Sequence, residues 1–193
     1  MVFRRPASGP AFTAPAQRLT PLTTVERPWQ VAFPAQQGPA QTLSVERLAS
    51  WSENGDPAIR YFSGAASYSR AVRVQKAWLK PGARVLLDLG EVKEIAEVSV
   101  NGKSVGLAWK APYRLDVTDA LKPGENQLTV KVTNLWANRL IGDAQPGVTH
   151  KVTWTGLDVT PPGDLMHMLA GWLPNSKLLP SGLLGPVSLL QAE

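Results

Sequence analysis

Leu128-Thr-Val-Lys-Val132 alternates apolar and polar residues without a break, and this two-residue period constrains the chain more than any other feature. Successive side chains of an extended strand point to opposite faces, so Leu128, Val130 and Val132 share one face and Thr129 and Lys131 the other. The period recurs at Tyr68, Val72 and Val74 against Ser67, Ser69 and Arg73, and at Val85, Leu87 and Leu89 against Leu86 and Asp88. It returns at Ala96, Val98 and Val100 against Glu97 and Ser99, and at Tyr113, Leu115 and Val117 against Arg114 and Asp116. Strands with one apolar face must bury it against another sheet, which predicts an all-β fold, a β-sandwich or jelly roll.

Turn chemistry separates these strands. Asn101-Gly102 is the strongest hairpin signal, because both residues tolerate positive φ, and Lys80-Pro-Gly82 and Lys122-Pro-Gly-Glu-Asn126 are further turns. Trp29 to Phe33 predicts the first strand, broken by Pro34 to Pro39. Leu43, Leu48 and Trp51 fall at loosely helical spacing, so a short helix or turn is expected between Thr42 and Trp51. Leu135 to Ser181 is long and irregular, with a strand expected around Lys151 to Thr155, and Leu183 to Leu190 predicts a closing strand. Residues 1–28 contain Pro6, Pro10, Pro15, Pro21 and Pro28, a density that argues against helix or central strand and predicts an extended arm or linker, lying along the domain or joining it to a preceding one. Residues 29–193 then form one domain.

Composition removes several classes of function. The 193 residues include no cysteine, so disulfides and thiolate metal ligands are excluded, and no apolar run approaches a membrane span. The net charge of +5 is spread among acids and apolar residues with no Lys/Arg-rich run, which reads as a solvated basic surface rather than a nucleic-acid site. Met1 to Ala16 lack the apolar stretch of a signal peptide, so either export does not use that route or a signal has been removed. Seven tryptophans suit both a sandwich core and stacking on sugar rings.

Between residues 84 and 136 the order of features becomes specific: Leu87-Asp-Leu-Gly90, Ala96-Glu-Val-Ser-Val-Asn-Gly-Lys-Ser-Val-Gly106, Ala111-Pro-Tyr-Arg-Leu-Asp-Val-Thr118 and Leu121-Lys-Pro-Gly-Glu-Asn126. This resembles the sugar-binding, galactose-binding-domain-like jelly roll of glycoside hydrolase family 2. Tyr61 to Tyr68, Leu87 to Val92 and Val132 to Asp143 are similar to the C-terminal region of family 106 glycoside hydrolases, the α-L-rhamnosidases. The resemblance implies a carbohydrate-binding or accessory domain without the catalytic barrel, whose partners are a mono- or oligosaccharide and the barrel of a parent enzyme. It also implies that the loop after Val132 reaches a substrate.

A saccharide site needs an aromatic face and planar polar groups, and Asn134 to Asp143 supplies both. Trp136 is the candidate stacking face, with Asn138, Arg139 and Asp143 for the hydroxyls; the alternative is Trp136 in the core and Arg139–Asp143 as a structural ion pair. Trp109 and Tyr113, with Lys110 between them, form a second candidate set. A stand-alone glycosidase would need a carboxylate pair, for which Asp116 with Asp119, or Glu91, Glu94 and Glu97, are the candidates. A third alternative is a packing domain without a ligand, marked by an exposed apolar patch. No cofactor is expected; Asp158 and Asp164 are weak candidates for calcium, since no calcium-loop pattern surrounds them.

Overall fold

The computed structural model describes residues 18–25, 28–35, 40–153 and 172–192. In chain order the strands are β1 (Leu19–Thr24), β2 (Trp29–Phe33), β3 (Gln41–Val45), β4 (Ala65–Val74), β5 (Arg84–Asp88), β6 (Glu91–Lys93), β7 (Ile95–Val100), β8 (Lys103–Ala108), β9 (Arg114–Asp116), β10 (Gly124–Thr133), β11 (Gly182–Gly185) and β12 (Ser188–Ala192). Among the described residues two short α-helices interrupt them, α1 (Pro57–Arg60) and α2 (Ala137–Asp143). The strands form a six-stranded sheet in the order β3-β2-β4-β10-β7-β8, a four-stranded sheet in the order β1-β12-β5-β9, and a small β11-β6 pair. Among the described residues every strand ladder is antiparallel, with one isolated parallel bridge between Gly90 and Gly185, in keeping with a jelly-roll sandwich.

The period-two faces meet between the sheets. Trp29, Val31, Tyr68, Val98, Val130 and Val132 from the larger sheet pack with Val85, Leu87, Leu89 and Leu189 in one apolar cluster. Asn101 (φ 53°) and Gly102 (φ 78°) make the tight reversal between β7 and β8. Asp116 accepts from the Thr118 backbone N–H and hydroxyl, while Asn126 is buried and bonds Lys122 and Gly124, so the expected turn residues close their turns.

An aromatic group seals one end of the core. Phe33, Trp51 and Phe62 meet edge-to-face at 5.1 to 5.5 Å, and Trp51 stacks on Tyr68. The Trp51 indole N–H donates to the Tyr68 hydroxyl at 2.6 Å, and the Leu183 backbone N–H donates to the same oxygen at 3.1 Å. Burial pushes the Tyr68 pKa up to about 12, with these two donors pulling the other way.

Four segments differ from expectation. Gln41–Val45 is strand, not helix: Leu43 and Val45 alternate with Thr42 and Ser44 and pair with Val31 and Trp29, and only Trp51–Glu53 turns, as a 3-10 helix begun at Ser50. Leu19–Thr24, inside the expected arm, is β1 and lies along β12; Pro21 is tolerated because the strand is at a sheet edge, and the register shifts between Pro21 and Thr23. The closing segment is two strands, β11 on β6 and β12 on β5. Lys151 to Thr153 are not strand, and Trp154 and Thr155 lie outside the described residues.

Candidate functional site

The loop that leaves β10 is fixed before it turns. The Asn134 side chain accepts from the Gly64 backbone N–H and donates to the Phe62 carbonyl, and the Ser63 hydroxyl donates to the Leu135 carbonyl. The chain then enters α2, where Ala137, Leu140 and Ile141 follow helical spacing and Ala137 and Ile141 are buried. This helix was not expected from the sequence, although its apolar residues at i, i+3 and i+4 carried the signal.

Of the residues singled out by sequence, α2 divides two kinds. Trp136, at the helix start, is 53% exposed, and Leu135 beside it is exposed as well. Asn138, Arg139 and Asp143 are buried and turned inward. Both ends of the Asn138 amide bond the Leu179 backbone, at 2.8 Å each. Arg139 pairs with Asp143 at 2.6 Å, and the other Asp143 oxygen accepts from the Val152 and Thr153 backbone N–H groups and the Thr153 hydroxyl. Gln145, not noticed in the sequence, donates to the Ile141 and Pro174 carbonyls. Asn138 and Asp143 of α2, with Gln145 just beyond it, therefore hold Val152, Thr153, Pro174 and Leu179 against this helix, and Trp136 is left as its solvent-facing ring.

The second candidate set lies between the sheets' strands β8 and β9, Trp109 just after β8 and Tyr113 just before β9. Trp109 is 65% exposed with the Lys110 ammonium 5.6 Å from its ring centroid, whereas Tyr113 is half-buried and packs against the core. Trp172 is half-buried, and Trp154 lies outside the described residues.

Two of the candidate carboxylates are engaged in surface ion pairs. Glu91 pairs with Lys93 at 3.0 Å and Glu97 with Lys131 at 3.1 Å. Asp116 and Asp119 do line one open cleft of about 590 Å³ together with Arg84, Lys103 and Thr118. Burial disfavours the charged form of Asp116, but the Thr118 hydroxyl and N–H and the Arg84 guanidinium outweigh it and hold the carboxyl below the usual carboxylate range. A general acid of glycoside hydrolysis needs the opposite, a raised value. Among the described residues no group of three or more His, Asp or Glu side chains is placed to hold a metal ion, and the calcium candidates Asp158 and Asp164 lie outside them.

Two packed antiparallel sheets, with end loops carrying exposed aromatic rings, define a galactose-binding-like β-sandwich. The chain belongs to the family described as glycosyl hydrolase 2 galactose-binding domain-like, whose model matches residues 51–184. It is 44% identical over 172 residues to a Formosa agariphila protein whose assigned name is beta-glucuronidase, an alignment covering 83% of this chain and 15% of that protein. The rhamnosidase from Novosphingobium sp. PP1Y superposes with a TM-score of 0.78 at 41% identity, covering 98% of this chain and 17% of that one. A beta-D-glucuronidase of Dictyoglomus thermophilum shares the fold at a TM-score of 0.56 and 19% identity, over 93% of this chain and 29% of its own. The chain thus spans less than a third of each of these relatives. It is a sandwich domain of the kind found within glycoside hydrolases, as the resemblance in its hairpins implied, and the described residues form no catalytic barrel.

Proposed function

We propose that this domain serves a rhamnosidase-like glycoside hydrolase by presenting Trp136 to a saccharide. One observation carries the reading: an exposed indole stands at the head of a short helix whose other polar side chains are buried and internally bonded. A ring held on an ordered base binds the apolar face of a pyranose with little loss of freedom on association. In this reading Asn138, Arg139 and Asp143 are positioning residues beneath the ring. Trp109 and Tyr113 are a separate aromatic set between β8 and β9. The parent's substrate is a rhamnoside or related glycoside, a choice supported by the 41% identity to the Novosphingobium rhamnosidase.

Isothermal titration of the domain with rhamnose, galactose, glucose and glucuronate tests the reading. The expected result is binding with a Kd of about 1 mM for at least one sugar, weakened about tenfold by Trp136→Ala. Trp109→Ala should leave that affinity unchanged. Absence of heat for every sugar, or full affinity in Trp136→Ala, would overturn it.

A further inference from the structure

The outer face of the six-stranded sheet is polar along most of its width. Ser67 and Ser69 on β4, Thr129 and Lys131 on β10, and Glu97 and Ser99 on β7 point away from the core, as expected of a sheet face in water. One corner breaks the pattern. Ile95 occupies the outward phase of β7, two residues before Glu97, and is exposed. Leu107 on β8 lies opposite Glu97 and is exposed; one step further along the same register, Trp109 falls opposite Ile95. Thr133 is the partner of Ile95 on the other side, so Leu135 and Trp136 follow at the same end of the sheet. Three of the six exposed large apolar residues among those described therefore fall on the outward face of β7 and β8 at one corner, Ile95, Leu107 and Trp109, while Leu135 and Trp136 follow β10 at the same end of the sheet. Contiguous apolar patches of this kind on the surface of a soluble domain mark interaction sites, and tryptophan is the residue most enriched at their centres.

We infer that the Ile95–Leu107–Trp109 corner is the surface on which the neighbouring domain of the same glycoside hydrolase chain packs, presenting an apolar surface to these side chains. This rests on the accessory-domain reading above. The occupant is indicated by the relatives: at 41% identity, this sandwich accounts for 17% of the Novosphingobium rhamnosidase, so a matching domain exists there within a far longer polypeptide. Position supports it too. β8 is the sheet's outer edge, so Leu107 and Trp109 stand at a margin of the sheet that no further strand of the described residues covers. Lys110 over Trp109 and the Glu97–Lys131 pair flank the corner with charge, the arrangement of a polar rim around an apolar centre.

The test is site-specific photo-crosslinking in the full-length gene product. A benzoylphenylalanine is placed at Leu107, and a control at Arg73 on the outer face of β4, distant from the corner. The expected result is a cross-link from position 107 to a peptide of the same polypeptide outside residues 1–193, lost in the Trp109→Glu background, and none from position 73. Cross-links from 107 only within the domain, or to a second copy, overturn the docking face while leaving the accessory-domain reading intact. A gene product with no further domain would sink that reading itself, and the docking face with it.

Discussion

Replacing Asp143 by alanine tests whether the base of the Trp136 loop is held by a buried ion pair. Asp143 is 1% exposed and Arg139 8% exposed, and they meet at 2.6 Å. Removing the carboxylate leaves the guanidinium buried without its counter-charge, a change that typically costs about 3 to 5 kcal/mol. Three donors on Val152 and Thr153 also lose their acceptor, but Val152 is exposed, so its segment can turn to water. The lower end, about 3 kcal/mol, is therefore expected. For a domain of this size that lowers the melting temperature by about 6 to 12 °C. Urea denaturation of Asp143→Ala, Arg139→Leu and the double variant gives the coupling. If the orphaned charge is the cause, the double variant is more stable than Asp143→Ala alone by about 1 to 2 kcal/mol. A loss below about 1 kcal/mol, or simple additivity of the two changes, would refute the reasoning. Loss of sugar binding with unchanged stability would show instead that Asp143 touches the ligand.

Two further outcomes follow from the aromatic end of the core. Tyr68→Phe removes the acceptor shared by the Trp51 indole and the Leu183 N–H, and urea unfolding should show a loss of about 2 to 4 kcal/mol. In the intact domain the folded Tyr68 pKa of about 12 exceeds its unfolded value of 10.0, so its contribution is complete below pH 10 and lost as pH rises toward 12. Tyr68→Phe should flatten the stability profile in that window, and an unchanged alkaline slope would contradict the assignment. Gly182→Ala should destabilise by about 3 kcal/mol by thermal melting, combining a disfavoured backbone with overpacking. At φ +97° its new Cβ would stand 2.5 Å from the Trp51 indole nitrogen and 2.7 Å from the Tyr68 hydroxyl.

The parts of the fold that were legible in sequence are those where burial on one face imposes period two on at least five residues. β10, β7 and β4 meet that condition, and Asn101-Gly102 adds a turn with its own backbone requirement. β3 has the same alternation in Leu43 and Val45, but Leu48 and Trp51 extended the apolar spacing beyond the strand and gave it a helical look. β1 was hidden by Pro21, which removes one donor and is harmless only because the strand has a single partner, a fact of topology. At the site, the aromatic and polar residue types were readable, but their directions were not. Asn138 and Asp143 bind backbone at Leu179, Val152 and Thr153, partners supplied by segments that no local pattern brings to α2. The apolar corner left a trace that is clear once seen: Ile95 stands in the phase of Glu97 and Ser99.

Crystals of the domain soaked in turn with rhamnose, galactose and glucose test the central claim most directly. A pyranose ring stacked on Trp136, with Asn138 and Asp143 still bonded to Leu179, Val152 and Thr153, is the result this account predicts. Ordered sugar bound away from Trp136, or Asn138 and Asp143 swung out to contact the hydroxyls themselves, would contradict it.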